Sequence, residues 1–594
     1  MITGITIENF KGIRDRVKLD FRPITLLFGA NSAGKSTILH ALHYAREVFE
    51  RHNLDADQTI AGGKYIDLGG FQNLLHRTDN DQTDHPSTLK LRIDLELTAR
   101  DLEIDGSEID RMIQETITDF ERFGATDEID ADYARELADI PFHTLTKPLK
   151  TAAVELEICW SDPDEVPYVL ANTIYFDGEP FVQLVGNEHR RGASLRFEFE
   201  CIDKLDHSKD RKISTFQHKS LKRLSDLTKE QWFQLSPNED WKNDNRTLLE
   251  ILYESSGEML SYYPKQIELE EIEDALPQSG ENLFFTPAMI SPTGEPYHDA
   301  KHGFEIDLSM RIFNVLSQYI LEPCRLIREQ LKEFRYLGPL RDTPPRLFEP
   351  PRFPDPSRWA SGLGAWDTLQ RGTDQFVIDV GDWLGSTDKL NASCRVERRT
   401  YIELDYADPM VRALISRRAF DDFDEFGGVN LSDFPTTSRI VIVPSNGDIE
   451  LQPHDVGIGI SQVVPVIVTA LDGSERLLAI EQPELHIHPR LQAEIADLFI
   501  EAIHNNKHRF IIETHSEHLI LRLLRRIRET EVNKAPANRT LRTDELAIYY
   551  LKQENGSSRA LEIEVDVKGE FIQPWPDDFF DIDFYERFNT GEQG

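Results

Sequence analysis

The stretch ITLLFGANSAGKST, Ile24 to Thr37, decides how this chain is read. ITLLF is a short apolar run of the kind expected from a strand buried on both faces. GANSAGKS, Gly29 to Ser36, matches G-x-x-x-x-G-K-[ST] in full, and TILHALHYAREVF after it carries a helical apolar stripe. Gly29 and Gly34 let the backbone curl so that the N–H groups around Asn31, Ser32 and Ala33 face an anion. Lys35 is placed to reach β and γ phosphates and Ser36 to ligate Mg2+, while the helix adds its N-terminal dipole. ATP with Mg2+ is therefore the expected ligand. A chance match in a glycine-containing turn is the competing reading, and the strand before and helix after the motif argue against it.

A phosphate loop of this type needs a partner strand whose terminal acid holds the metal and its water shell. LLAIEQPELHIHP, residues 477 to 489, supplies one: Leu477 to Ile480 lead into Glu481. An apolar core strand with no metal role is the alternative. RFIIETHSEHLI, residues 509 to 520, reads as another buried strand with His515 at its tip. A lone histidine is usually structural, but one ending a strand parallel to the phosphate-loop strand can sense a γ-phosphate. In DVGIGISQVVPVIVTAL, residues 455 to 471, Gly457, Gly459 and Ser461 precede an apolar helix. That collects N–H groups and a hydroxyl at a helix N-terminus, either as a second anion site or as an ordinary cap. Two such sites in one chain imply a homodimer in which the second site closes over nucleotide held by the other copy.

Composition sets the outer bounds. The 594 residues leave room for several domains or for one with large insertions. With 39% hydrophobic and 29% charged residues, the chain fits a soluble protein with a sizeable core. No apolar run approaches the roughly 18 residues of a membrane span. MITGITIENF has no basic and then apolar signal pattern. Cys159, Cys201, Cys324 and Cys394 are widely spaced, as reduced cytoplasmic thiols would be. The net charge of −39, from 66 basic and 105 acidic residues, repels nucleic acid on average but leaves room for local basic patches. Much of the acid falls between Asp101 and Asp139, in what reads as a solvated helical face.

Along the chain, ITGITIENF, LKLRIDLELT, AAVELEICW, YVLANTIYF and SLRFEFECI read as strands. Residues 203 to 302 are polar and irregular and contain the basic run KDRKISTFQHKSLKRL. An amphipathic helix is expected from about Asp307 to Phe334, and YLGPLRDTPPRLFEPPRFPDP after it is proline-rich loop. RTYIELDY, SRIVIVP and DIELQP read as strands. The tail reads as a helix, LILRLLRRIRE, then a hairpin over ELAIYYLKQENGSSRALEIEVDVKGEFI and a short remainder. The division is thus 1–90 with the phosphate loop, 91–335 as an inserted α+β region, and 336–594 with the remaining motifs.

In this order the motifs resemble the ABC-type ATPase heads of the RecF and SMC group, and within it the OLD-like prokaryotic AAA ATPases. ITIENFKGI resembles their first strand and DLGGFQNLLHR the loop after their first helix; YLGPLRDTP and PWPDDFFDIDFYERF resemble one bacterial subfamily. The resemblance implies an α/β P-loop NTPase fold, a mixed central sheet with helices plus the large insertion. It implies that Lys35, Ser36 and Thr37 bind phosphate and Mg2+, that Glu481 is the metal-strand acid, that Ser461 with Gly459 acts across a dimer, that His515 is the switch histidine, and that Gln72 is a metal-side glutamine.

One departure bears on mechanism. Relatives carry two adjacent acids where this chain has Glu481 and Gln482. A glutamine orients water but cannot act as a carboxylate base, so slow turnover is expected, with Glu484 as candidate substitute. Only Asp581 and Asp583 form a carboxylate pair in the tail, and a solvated tail explains them better than a nuclease site. The expectation is an ATP-dependent homodimer that controls a separately encoded effector, with a nuclease in antiphage defence implied by resemblance. The alternatives are a RecF-like ATPase gripping DNA through Lys209–Arg223 or Arg522–Arg528, and a scaffold that holds ATP without turnover.

Overall fold

Strand β3 (Ile24–Gly29) shows why the apolar run is continuous. Ile24, Leu26 and Phe28 enter one hydrophobic core and Leu27 enters another, so both faces are covered. The same alternation holds in β13 (Leu477–Glu481), β14 (Arg509–Glu513) and β15 (Leu546–Glu554). The computed structural model describes residues 1–76, 88–98, 149–161, 163–186, 193–197, 266–269, 275–277, 319–346, 348–407, 411–412, 434–447 and 449–576. The acidic stretch 101–139, the basic run 209–223, Cys201, the pair Asp581 and Asp583, and the first part of the helix expected over 307–334 lie outside these residues.

Two main sheets organise the described residues. The first has order β10-β13-β14-β3-β15-β16, where β10 is Arg335–Leu337 and β16 is Ser557–Glu562. β10, β13, β14, β3 and β15 run parallel, and β16 returns antiparallel through a hairpin with Asn555 and Gly556 at positive φ. That geometry suits a tight two-residue turn. The second sheet is antiparallel, with order β2-β1-β4-β5-β6-β7-β8-β9. It starts from β1 (Ile2–Glu8) and β2 (Val17–Asp20) and continues through β4 (Leu89–Glu96), β5 (Thr151–Ser161), β6 (Val166–Phe176), β7 (Glu179–Gly186), β8 (Ala193–Phe197) and β9 (Gln266–Leu269). The described strands of the inserted region therefore carry on the sheet that β1 and β2 begin. DIELQP, expected as a strand, contributes a single backbone bridge from Leu451 to Ile442 in β12 (Thr436–Pro444), which pairs with β11 (Cys394–Ile402).

Helix α1 (Lys35–Arg51) lies in the core between the two sheets, burying Ile38, Leu39, Leu42, Tyr44, Val48 and Phe49. Helix α2 (319–332) packs into that core through Ile320, Ile327 and Leu331. The opposite face of the parallel sheet is covered by α3 (Leu363–Arg371), α4 (Asp374–Gly385), α5 (Ile458–Leu471), α6 (Pro489–Asn505) and α7 (Glu517–Glu531). All five parallel strands thus aim their C-terminal ends at one edge, where loops gather.

An ionic hub pins α6 to α7. Asp497, fully buried, accepts from Arg522 (2.6 Å), Arg526 (2.7 Å) and Arg539 (3.3 Å). Removing one partner of a buried pair strands the other charges. Asp497→Asn is therefore expected to lower stability by about 3–5 kcal/mol, read from urea unfolding followed by tryptophan fluorescence. A loss below about 1 kcal/mol would mean that Glu494, Glu501 and Glu529 satisfy the arginines alone.

Candidate functional site

The phosphate loop leaves β3 at Gly29 (φ +142°), passes Ser32 (φ +64°) and enters α1 through Gly34 (φ +103°). A second cause for the glycines lies below the loop. A Cβ on Gly29 would sit 2.2 Å from the Leu551 carbonyl oxygen, and one on Gly34 would sit 2.4 Å from Ser558 Oγ. The β15–β16 hairpin is thus the floor of the loop, and Gln553 donates to the Ser32 carbonyl (3.2 Å). Asn31 and Ser32 are exposed, Ala33 is buried and Thr37 is half-buried. Lys35, only 4% exposed, donates to the carbonyls of Gly29 and Ala30 (3.0 Å each).

The acids stand beside this loop. β13 and β14 pair in register, Glu481 opposite Glu513, and β14 in turn pairs with β3. Glu513 accepts from Ser36 Oγ (3.2 Å) and lies 3.9 Å from Lys35 Nζ. Glu481 accepts from Tyr336 Oη (2.7 Å). Burial, reinforced by Glu513, pushes the Glu481 carboxyl up to about 7 against the pull of Tyr336, Arg341 and Lys35. Burial raises Glu513 as well, with Lys35 opposing it. Gln482 sits at φ +44°, its N–H donating to the Glu513 carbonyl (2.7 Å).

Glu484 is committed locally. Its two oxygens accept from Thr514 Oγ1 (2.8 Å) and from the His515 N–H (2.7 Å). It holds the turn after β14 in place, and the cap of α6 comes from the His488 side chain, which accepts from the Arg490 N–H. His515 is half-buried, and burial together with Lys35 lowers its pKa, which favours a neutral imidazole. Ser461 is buried inside the first turn of α5, its hydroxyl donating to the Ile458 carbonyl (2.9 Å). The exposed start of that helix is Gly457 and Ile458, while Gly459 is pressed to the His486 carbonyl, where a Cβ would approach to 2.7 Å. Gln72 is exposed on the helical turn Phe71–Leu74.

Sequence reasoning passed over Tyr336, Arg341, Gln462 and Glu513. The first two stand in YLGPLRDTP, which proline content marks as loop. Arg341, 3% exposed, donates to the backbone carbonyls of Glu481 (2.5 Å) and Gln482 (3.3 Å). Its own N–H and carbonyl are both gripped by the Gln462 side chain (3.1 and 2.6 Å). Gln462 is on α5, so one arginine ties the start of that helix to the turn carrying Glu481 and Gln482. Oxygen donors from one hydroxyl and two carboxylates fit Mg2+, which keeps water and phosphate as its other ligands.

A family model described as "AAA domain, putative AbiEii toxin, Type IV TA system" matches residues 24–522, and the chain belongs to that family. No curated protein matches it. Among solved structures, an Smc head bound to the C-winged helix domain of ScpA is 11% identical over 95% of this chain and 98% of that chain, with TM-score 0.33. A Pyrococcus furiosus Smc head with an extended coiled coil, bound to the C-terminal domain of ScpA, is 11% identical over 95% and 96%, TM-score 0.33. The SMC head domain from Thermotoga maritima is 8% identical over 95% and 99%, TM-score 0.33. The chain is an α/β protein with the P-loop fold of an AAA domain. Among the described residues no helix is long and apolar enough to cross a membrane.

Arg341 acts as a positioning residue in this arrangement. Arg341→Met is expected to lower kcat for ATP hydrolysis by about 10²-fold while KM for ATP changes less than about threefold. Equal changes in both, or a kcat loss matched by a lower melting temperature and reversed on cooling, would assign it a role in folding alone.

Proposed function

We propose that this chain binds ATP with Mg2+ at Gly29–Thr37, hydrolyses it slowly, and dimerises on ATP. The supporting observation is that Lys35, Ser36, Glu481, Glu484 and His515 gather at the C-terminal edge of three adjacent parallel strands. Lys35, now on two loop carbonyls, would turn to the phosphates, and Ser36 with Glu481 would hold Mg2+, which would supply positive charge against that developing on the transferred phosphoryl group. Gln482 orients the attacking water. Glu484, with both oxygens engaged by Thr514 and His515, keeps the switch histidine aimed and is not a free base. This supports slow turnover and a long-lived ATP state. We place Gln72 on the metal side and the Gly457–Ser461 helix start as the anion site offered to a second copy, with its exposed residues Gly457 and Ile458 forming the contact.

We assign the chain to the OLD-like branch, with output through a separately encoded effector; a nuclease in antiphage defence is the class that resemblance implies. The family description speaks of a putative AbiEii toxin and a type IV toxin–antitoxin system, and we read this as support for an output on other molecules. The DNA-gripping reading loses one of its two basic groups. Arg522 and Arg526 are ion-paired with Glu494, Asp497 and Glu529, Arg525 with Glu529, and Arg528 donates to the Lys568 carbonyl.

Two measurements test the reading. Lys35→Ala is expected to abolish binding of a fluorescent ATP analogue, and retention of wild-type affinity would reject the site. Gln482→Glu is expected to raise phosphate release by about 10²-fold; an unchanged or lower rate would reject the account of slow turnover. Stimulation of hydrolysis by duplex DNA, with binding that weakens steeply in salt, would favour the DNA reading instead. Tight ATP binding without phosphate release would favour the scaffold.

A further inference from the structure

We propose that Glu513 is a second cation-holding carboxylate of the nucleotide site, sharing with Glu481 and Ser36 the divalent metal that accompanies ATP. The inference rests on the nucleotide-binding reading above and deepens it.

Placement comes first. In-register neighbours on parallel strands project to the same side, so Glu481 and Glu513 stand together at the sheet edge. β14 lies between β13 and the phosphate-loop strand, which puts Glu513 one strand nearer the loop than Glu481. Glu513 accordingly makes the contact with Ser36 Oγ, the hydroxyl that the motif assigns to Mg2+. The chain therefore keeps two acids at this edge despite Gln482. The second has moved from the position after Glu481 to the end of the next strand.

Electrostatics supplies the reason for a metal. Glu481 and Glu513 are 8% and 5% exposed, and their repulsion is offset by Lys35 at 3.9 Å from Glu513. Two buried carboxylates sharing one ammonium are stable only while that ammonium stays. When Lys35 turns to phosphate, Glu513 loses its counter-charge at the moment a divalent cation arrives with the nucleotide. Hard carboxylate and hydroxyl oxygens are the donors such a cation takes. Glu513 thus exchanges one cation for another. A residue serving Lys35 alone would have no need to touch Ser36.

The test is a Mg2+ titration of a fluorescent ATP analogue bound to the full chain carrying Glu513→Gln. The half-saturating Mg2+ concentration is expected to rise about tenfold or more, with binding in EDTA unchanged or tighter because one acid has left the phosphates' side. An unchanged Mg2+ requirement, whatever happens in EDTA, would overturn the proposal and leave Glu513 as the partner of Lys35. A second measurement needs no variant. Fe2+ substituted for Mg2+ in the ATP-bound wild-type chain, with ascorbate and peroxide, is expected to cut the backbone beside residues 36, 481 and 513. Cuts beside 36 and 481 without 513 would overturn it. A wild-type chain that binds no nucleotide would instead overturn the nucleotide reading itself.

Discussion

The in-register parallel pairing of β13, β14 and β3 is the constraint from which the site follows. Because all three strands bury both faces, their interior side chains carry no charge, and the one polar group among them, Thr25, is bonded to the Arg22 backbone. Charge can appear only at the edge, and it appears there on all three at once: Glu481, Glu513, and Lys35 just past β3. Packing alone therefore brings like and unlike charges within a few ångströms of one another. That concentration is unfavourable in an empty core and is tolerable here because Ser36, Tyr336 and the loop carbonyls each satisfy a lone pair or a proton.

Arg341 solves a related backbone problem. The chain reverses sharply after β13, with Gln482 in the left-handed region; the Leu485 N–H fills one lone pair of the Gln482 carbonyl, and the Glu481 and Gln482 carbonyls have others to satisfy. A guanidinium fork reaches both, as a lysine ammonium on a flexible stem would not. The anchoring of Arg341 by Gln462 then makes the conformation of the turn depend on the position of α5. A shift of that helix would reach the Glu481 turn through the Gln462 and Arg341 side chains, which touch directly.

Much of this was readable in advance, for identifiable reasons. The phosphate loop, the strand into Glu481 and the strand into His515 were legible because fully buried parallel strands leave continuous apolar runs. The β15–β16 hairpin was legible in the sequence as a single hairpin stretch after the helix LILRLLRRIRE, and the structure puts its turn at Asn555 and Gly556. The role of Glu484 was not, since holding the Thr514–His515 turn depends on a contact across 31 residues that no local pattern encodes. Glu513 was hidden by its neighbour: in ETHS the histidine draws the eye, and only the strand order shows which acid faces Ser36. Tyr336 and Arg341 were masked by prolines that implied an idle loop: Tyr336 lies in β10 beside β13, and Arg341 in the loop that follows. Ser461 reads from sequence as an offered hydroxyl, yet one helical turn of geometry folds it inward onto Ile458.

The hairpin beneath the phosphate loop has a consequence for how the protein is made. Gln553 reaches Ser32 across 521 residues of sequence, and the two glycines of the loop press on Leu551 and Ser558. A ribosome emits the loop 521 residues before Gln553, which forms part of its floor. The nascent motif, complete in letters, has no surface to shape it for most of that time. A nucleotide that meets the nascent motif has little to grasp until β15 and β16 arrive.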